Sequence, residues 1–153
     1  MRVNPLPRFL ILNGPNINML GARDAGFYGV KTLEEVNAEI QAVADRIGVG
    51  VEFYQSNHEG SLVDCLQEAR DRIDGIIVNG GALTHYGLTL KDALIDCRKP
   101  VIEVHLSNPL ARDEWRRHSV LSDIARGQIA GFGWRSYTAA LEILAALVEE
   151  ESL

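Results

Sequence analysis

Glu103 and His105 stand two residues apart in the run Pro100-Val101-Ile102-Glu103-Val104-His105-Leu106-Ser107-Asn108, which is otherwise β-branched or apolar up to Leu106. Such a run reads as a buried parallel strand entered at Pro100, where a missing N–H does least harm. Side chains alternate along a strand, so residues i and i+2 leave one face about 6–7 Å apart, and a carboxylate can then orient an imidazole and stabilise its charge. A purely structural Glu–His pair would use the same residues. Position favours chemistry, because open parallel sheets bind ligands beyond the carboxyl ends of their strands, where His105, Ser107 and Asn108 lie.

Two other strand exits carry polar clusters. Asn13-Gly14-Pro15-Asn16 follows the first apolar run and leads to Gly21-Ala22-Arg23-Asp24-Ala25-Gly26-Phe27-Tyr28-Gly29, while Asn79-Gly80-Gly81-Ala82-Leu83-Thr84-His85 follows the third. Turn formation explains each Gly and Asn singly. It does not explain why histidines, a tyrosine and an arginine accompany them. A connection as long as residues 16–29 is a lid, a binding loop or disordered. Tyr28 on it is either an apolar anchor or, beside Arg23, a base: a phenol ionises at about 10 in water, and a close guanidinium in a water-excluded site favours the phenolate by about 3–4 kcal/mol.

Asn108-Pro109 reads as the cap and first position of a helix with Arg112 and Arg116 on one face. These arginines are a solvated pair or a cationic patch aimed at an anionic or hydroxyl-rich small molecule. Phosphate loops, dinucleotide fingerprints, zincin motifs and nucleophile elbows are absent from the sequence. His58, His85, His105 and Glu103 do not have metal-ligand spacing.

Five short apolar runs alternate with five helical stretches, which predicts a three-layer α/β fold: a flavodoxin-like, doubly wound sheet of five parallel strands. The strands are expected at 9–12, 49–54, 75–78, 100–108 and 128–131. Helices are expected at 33–47, with Thr32 as N-cap and Gly48 closing it, and at 61–72, 88–97, 112–118 and 136–150. Residues 1–153 read as a single domain, the first eight forming a short extension.

Net charge is −6 with no long basic run, which argues against a nucleic-acid-binding face. The two cysteines, Cys65 and Cys97, lack paired spacing and read as buried thiols of a reducing compartment. Neither a signal-peptide core nor a membrane span is legible, so a cytoplasmic protein is expected.

The motifs named above, together with Gln55-Ser56-Asn57-His58-Glu59-Gly60 and Arg112 to Arg116, resemble the type II 3-dehydroquinate dehydratases from about Phe9 to Leu147. The resemblance implies a cofactor-free, metal-free lyase that converts 3-dehydroquinate to 3-dehydroshikimate by anti elimination through an enolate, in the shikimate or quinate pathway. It implies Tyr28 as base assisted by Arg23, Asn16 holding a water at the enolate, and His105 as acid with Glu103 behind it. Asn79 and the backbone N–H groups of Leu106 and Ser107 would meet the substrate carboxylate, His85 and Arg116 its ring hydroxyls, and Arg112 would join the lid. It further implies a homododecamer built as a tetramer of trimers, with Asp92 reaching a neighbouring site. Lys31, Lys91 and Lys99 lie outside the clusters, so no lysine-imine route is expected.

Four positions depart from the family pattern. Arg23-Asp24-Ala25 stands where Arg-Glu-Pro is usual, which suggests a more mobile lid. Ser136 replaces a frequent glycine and Lys91 a frequent arginine. A non-catalytic sensor of cyclic polyol acids and a flavodoxin-like nucleotide binder are the rival readings, and the intact catalytic set and the missing phosphate loop weigh against them.

Overall fold

A computed structural model describes residues 5–153. Its strands are β1 (Arg8–Asn13), β2 (Gly50–Gln55), β3 (Gly75–Asn79), β4 (Val101–His105) and β5 (Gly127–Ala130). They pair in the all-parallel order β2-β1-β3-β4-β5, the flavodoxin-like order. Of the expected extension, residues 1–4 lie outside the described part, and Arg8 already pairs with Gly50.

Alternation along the strands sorts the two faces. Phe9, Ile11, Ile77, Ile102 and Val104 pack with α2 (Leu33–Ile47) and α5 (Arg135–Glu151). On the other face, Leu10, Leu12, Ile76, Val78 and Val101 pack with α3 (Glu59–Ala69) and α4 (Leu88–Cys97). Glu103 and His105 share the parity of Val101, so the pair belongs to the α3–α4 side and the flanking apolar residues to the other.

Helix α2 has the bounds its sequence predicts. Thr32 Oγ1 accepts the Glu35 N–H at 3.2 Å, and Gly48 takes the left-handed closing position at φ 75°. Helix α3 starts earlier and stops earlier than expected. Arg72, expected inside it, instead forks onto the Glu52 carboxylate of β2, with Nε 3.0 Å and Nη2 2.9 Å from Oε1.

The segment 112–118 is not a helix. Asn108 does cap a turn, accepting the Leu110 N–H at 3.1 Å, but this is a 3-10 turn over Pro109–Ala111. Arg112 is then extended, and a second 3-10 turn covers Glu114–Arg117. The segment has no apolar stripe to pack, and the Arg112 side chain is drawn inward by polar partners described below. Arg112 and Arg116 therefore do not share a helix face.

Cys65 and Cys97 are free, and both belong to the α3–α4 packing layer. Burial pushes the Cys65 thiol up to about 11 and raises that of Cys97. Ser136 is fully buried and its hydroxyl accepts the Phe132 N–H at 3.2 Å, while Lys91 pairs with Asp123 at 2.9 Å.

One glycine controls how the strand exits meet. Gly14 donates its N–H to the Asn79 carbonyl at 2.8 Å, and a Cβ there would be driven into the Gly80 carbonyl. Gly14→Ala is expected to cost about 3 kcal/mol of stability, because backbone on both sides must shift. Denaturant unfolding of wild type and variant checks this.

Candidate active site

The exits of β1, β3 and β4 converge on one cleft. Its volume is about 100 Å³, below the usual range of small-molecule sites. Asn16, Arg23, Tyr28, Asn79, His85, His105, Leu106, Ser107, Arg112 and Arg116 all line it. Glu103 sits behind His105, fully buried. Asp92 is exposed on α4 and does not line this chain's cleft. Nor does His58, and no group of three or more metal-ligating side chains forms among the described residues. Lys31, Lys91 and Lys99 are likewise absent from the lining.

Tyr28 is delivered by a short helical element within the predicted loop of residues 16–29. Ala25–Tyr28 forms a single helical turn, α1, capped by Asp24, whose Oδ1 accepts the Gly26 N–H at 2.8 Å. Asp24, the first of the two departing lid residues, thus supplies the cap. Asp24→Ala is expected to lose about 1 kcal/mol of local order. A few-fold fall in kcat/KM, with little change in melting temperature, is the readout.

The Tyr28 oxygen accepts two guanidinium bonds, from Arg23 Nη2 at 2.9 Å and Arg112 Nη1 at 2.8 Å. Arg112 also donates to Ser107 Oγ at 3.2 Å, and its Cζ lies 4.3 Å from the centre of the Phe27 ring. Two guanidinium groups thus donate to one phenolic oxygen. Arg112 reaches the tyrosine from 84 residues away in sequence. It ties the lid turn to the β4 exit.

Opposite lies the buried acid pair. His105 Nε2 is 3.0 Å from Glu103 Oε2, which leaves Nδ1 as the other ring nitrogen of a side chain that lines the cleft. Ser119 Oγ and Gln128 Nε2 also donate to the Glu103 carboxylate, and Ser122 Oγ does so at 3.3 Å. Burial acts to raise the Glu103 pKa, but the bonds from His105, Ser119 and Gln128 outweigh it and hold the carboxyl below its usual range. A depressed pKa in the folded state means that the unfolded chain binds this proton first as pH falls. The stabilisation is therefore complete above the ordinary carboxylate range and disappears as pH drops through the folded value. Glu103→Gln is expected to cost about 1–3 kcal/mol at pH 7 and to flatten the acid limb of stability against pH. Thermal melts from pH 3 to 7 check both.

The remaining polar groups are oriented from behind. Asn79 Oδ1 accepts the Gly81 N–H at 3.2 Å, and Nδ2 donates to Tyr137 Oη at 2.9 Å. Tyr137 donates in turn to Asn13 Oδ1 at 2.6 Å, so the amide of Asn79 has one possible orientation and keeps one N–H for a ligand. His85 Nδ1 lies 2.7 Å from the His118 carbonyl, an acceptor only, so Nδ1 carries the proton and Nε2 is left as an acceptor. Burial lowers the His85 pKa and favours this neutral form. Arg116 stacks its Cζ 4.1 Å from the Trp115 ring centre, and its buried Nε makes no hydrogen bond but lies 3.5 Å from the Asp113 carboxylate.

Residues 7–145 match the family model of the class II dehydroquinases. The chain belongs to that family. A 3-dehydroquinate dehydratase of Roseiflexus castenholzii is 53% identical over 137 residues, covering 90% of this chain and 87% of its own. A catabolic 3-dehydroquinase of Verticillium alfalfae is 47% identical over 138 residues, covering 90% and 92%. The crystal structure of a type II dehydroquinase from Butyrivibrio crossotus superposes with a TM-score of 0.88 at 40% identity, covering 91% of this chain and 97% of that one. Membership of the dehydroquinase family confirms the resemblance drawn from the motifs.

Sequence reasoning missed the supports: Ser119, Ser122 and Gln128 around Glu103, Tyr137 behind Asn79, and Asn57 behind Asn16. Only Asn57 lay in a motif already singled out. For the others no local pattern exists, since each acts across at least 16 residues of chain.

Proposed function

We propose that the protein dehydrates 3-dehydroquinate to 3-dehydroshikimate by anti elimination, with its own side chains as the only catalysts. One observation carries the proposal: a phenolic oxygen held by two guanidinium groups and an imidazole backed by a carboxylate line the same cleft. Abstracting a proton next to a ketone needs a base and a partner for the oxyanion, and expelling hydroxide needs an acid.

Tyr28, as phenolate, takes the proton from the carbon between the ketone and the carbon bearing the leaving hydroxyl. Asn16 holds a water that stabilises the enolate oxygen. His105 Nδ1 delivers a proton to the departing hydroxyl, and Glu103 balances the imidazolium charge. The substrate carboxylate is met by Asn79 and the backbone N–H groups of Leu106 and Ser107, and its ring hydroxyls by His85 Nε2 and Arg116.

The proposed assembly is a dodecamer, built as a tetramer of trimers, in the cytoplasm. Asp92, exposed and absent from its own cleft, suits a role in a neighbour's. A light-scattering mass of twelve chains of 16.9 kDa is expected, and a monomer would reject this part. No described helix is long and apolar enough to cross a membrane.

The test of function is direct. Purified protein mixed with 3-dehydroquinate is expected to give the ultraviolet absorbance of the enone product, at the same rate with borohydride present. Inactivation by borohydride with substrate would indicate an imine route, and binding without absorbance a sensor.

A further inference from the structure

The run Gln55-Ser56-Asn57-His58-Glu59-Gly60 carries part of the family resemblance, yet none of its side chains lines the cleft. It leaves the sheet at the exit of β2, beside that of β1, where Gln55 is in register with Asn13 and the Ser56 N–H donates to the Asn13 carbonyl at 3.0 Å. From there two side chains reach the turn that bears Asn16. Asn57 Oδ1 accepts the Asn16 N–H at 2.9 Å. Gln55 Nε2 donates to that same Oδ1 at 3.2 Å and to the Gly14 carbonyl at 3.1 Å.

Asn16 needs such support. Its φ is 69°, in the left-handed region, which asparagine tolerates better than other residues with a Cβ but still less readily than glycine. A strained conformation persists where its surroundings over-determine it. The Asn16 side chain caps no backbone group of the turn it begins, and it lines the cleft. With the other rotations of the turn fixed, the backbone angle at Asn16 decides where that amide points.

We propose that Asn57, oriented by Gln55, is a positioning residue that holds Asn16 in its left-handed turn and thereby aims the Asn16 amide into the cleft. The inference rests on the reading of Asn16 as the residue that holds the enolate-stabilising water. It gives the β2 exit a part in the reaction without contact with substrate. It also explains the residue types: only the acceptor oxygen of Asn57 and only the donor nitrogen of Gln55 are used. An aspartate at 57 preserves the bond to Asn16, whereas a glutamate at 55 presses a carboxylate against two oxygen acceptors.

Steady-state constants for dehydration of 3-dehydroquinate test this in wild type, Asn57→Ala, Asn57→Asp, Gln55→Glu, Asn16→Ala and the Asn16→Ala/Asn57→Ala double variant. Asn57→Ala and Gln55→Glu are expected to lower kcat about fivefold with KM nearly unchanged, the size set by one lost hydrogen bond. Asn57→Asp keeps wild-type kcat within about twofold, whatever its charge does to KM. In the Asn16→Ala background, Asn57→Ala has no further effect on kcat, because no amide is left to aim. Asn57 is exposed, so truncation spares the fold, and matching melting temperatures verify this. Wild-type kcat in Asn57→Ala, equal losses from Asp and Ala, or an undiminished loss in the Asn16→Ala background would overturn the proposal. No enone from wild type would overturn the functional reading instead.

Discussion

Tyr28→Phe lowers kcat by about a thousandfold, within the range a well-placed general base supplies. The variant removes one oxygen and leaves the ring, which packs against the apolar layer of α2 and α5. Its cost is therefore chemical more than structural. Arg23 and Arg112 lose a shared acceptor, but both remain in an open cleft where water can replace it, so the melting temperature falls little. KM changes by at most a few-fold, because the lost oxygen interacts with a proton in flight and not with a feature of the bound ground state. A large rise in KM with kcat preserved would show that Tyr28 binds substrate and does not act on it.

His105→Gln gives a loss of similar order, about a hundred- to a thousandfold in kcat, by removing the acid. The glutamine amide nitrogen falls near the Nε2 position and keeps a donor toward Glu103, which matters because that carboxylate is fully buried and leans on His105, Ser119, Ser122 and Gln128. His105→Ala would leave one donor fewer around a buried charge and add a folding penalty of about 1–3 kcal/mol. The two substitutions separate acid chemistry from support of the carboxylate: equal kcat with unequal melting temperatures is the expected pattern.

What the sequence makes legible follows from how local each signal is. Helix α2 is readable to the residue, because Thr32 and Gly48 sit at its ends and its buried residues keep helical spacing. The Glu103–His105 pair is readable because a strand alternates sides every residue. Arg112 and Arg116 both reach the cleft as expected, but from separate turns, since the segment has no apolar stripe to hold a helix. The Asp24-capped turn is hidden because a four-residue helix has no periodicity to detect. The buried relay from Asn79 through Tyr137 to Asn13 joins β3, α5 and β1. Its members are adjacent only once the sheet has formed, and no spacing announces them.

Proton exchange at the carbon next to the ketone tests most directly whether the phenol is the base and the imidazole the acid. In deuterium oxide, proton NMR of 3-dehydroquinate with His105→Gln is expected to show loss of that signal without appearance of product, since abstraction survives while departure of hydroxide is blocked. Tyr28→Phe is expected to show neither. Exchange that persists in Tyr28→Phe and vanishes in His105→Gln would contradict the assignment and make the imidazole the base.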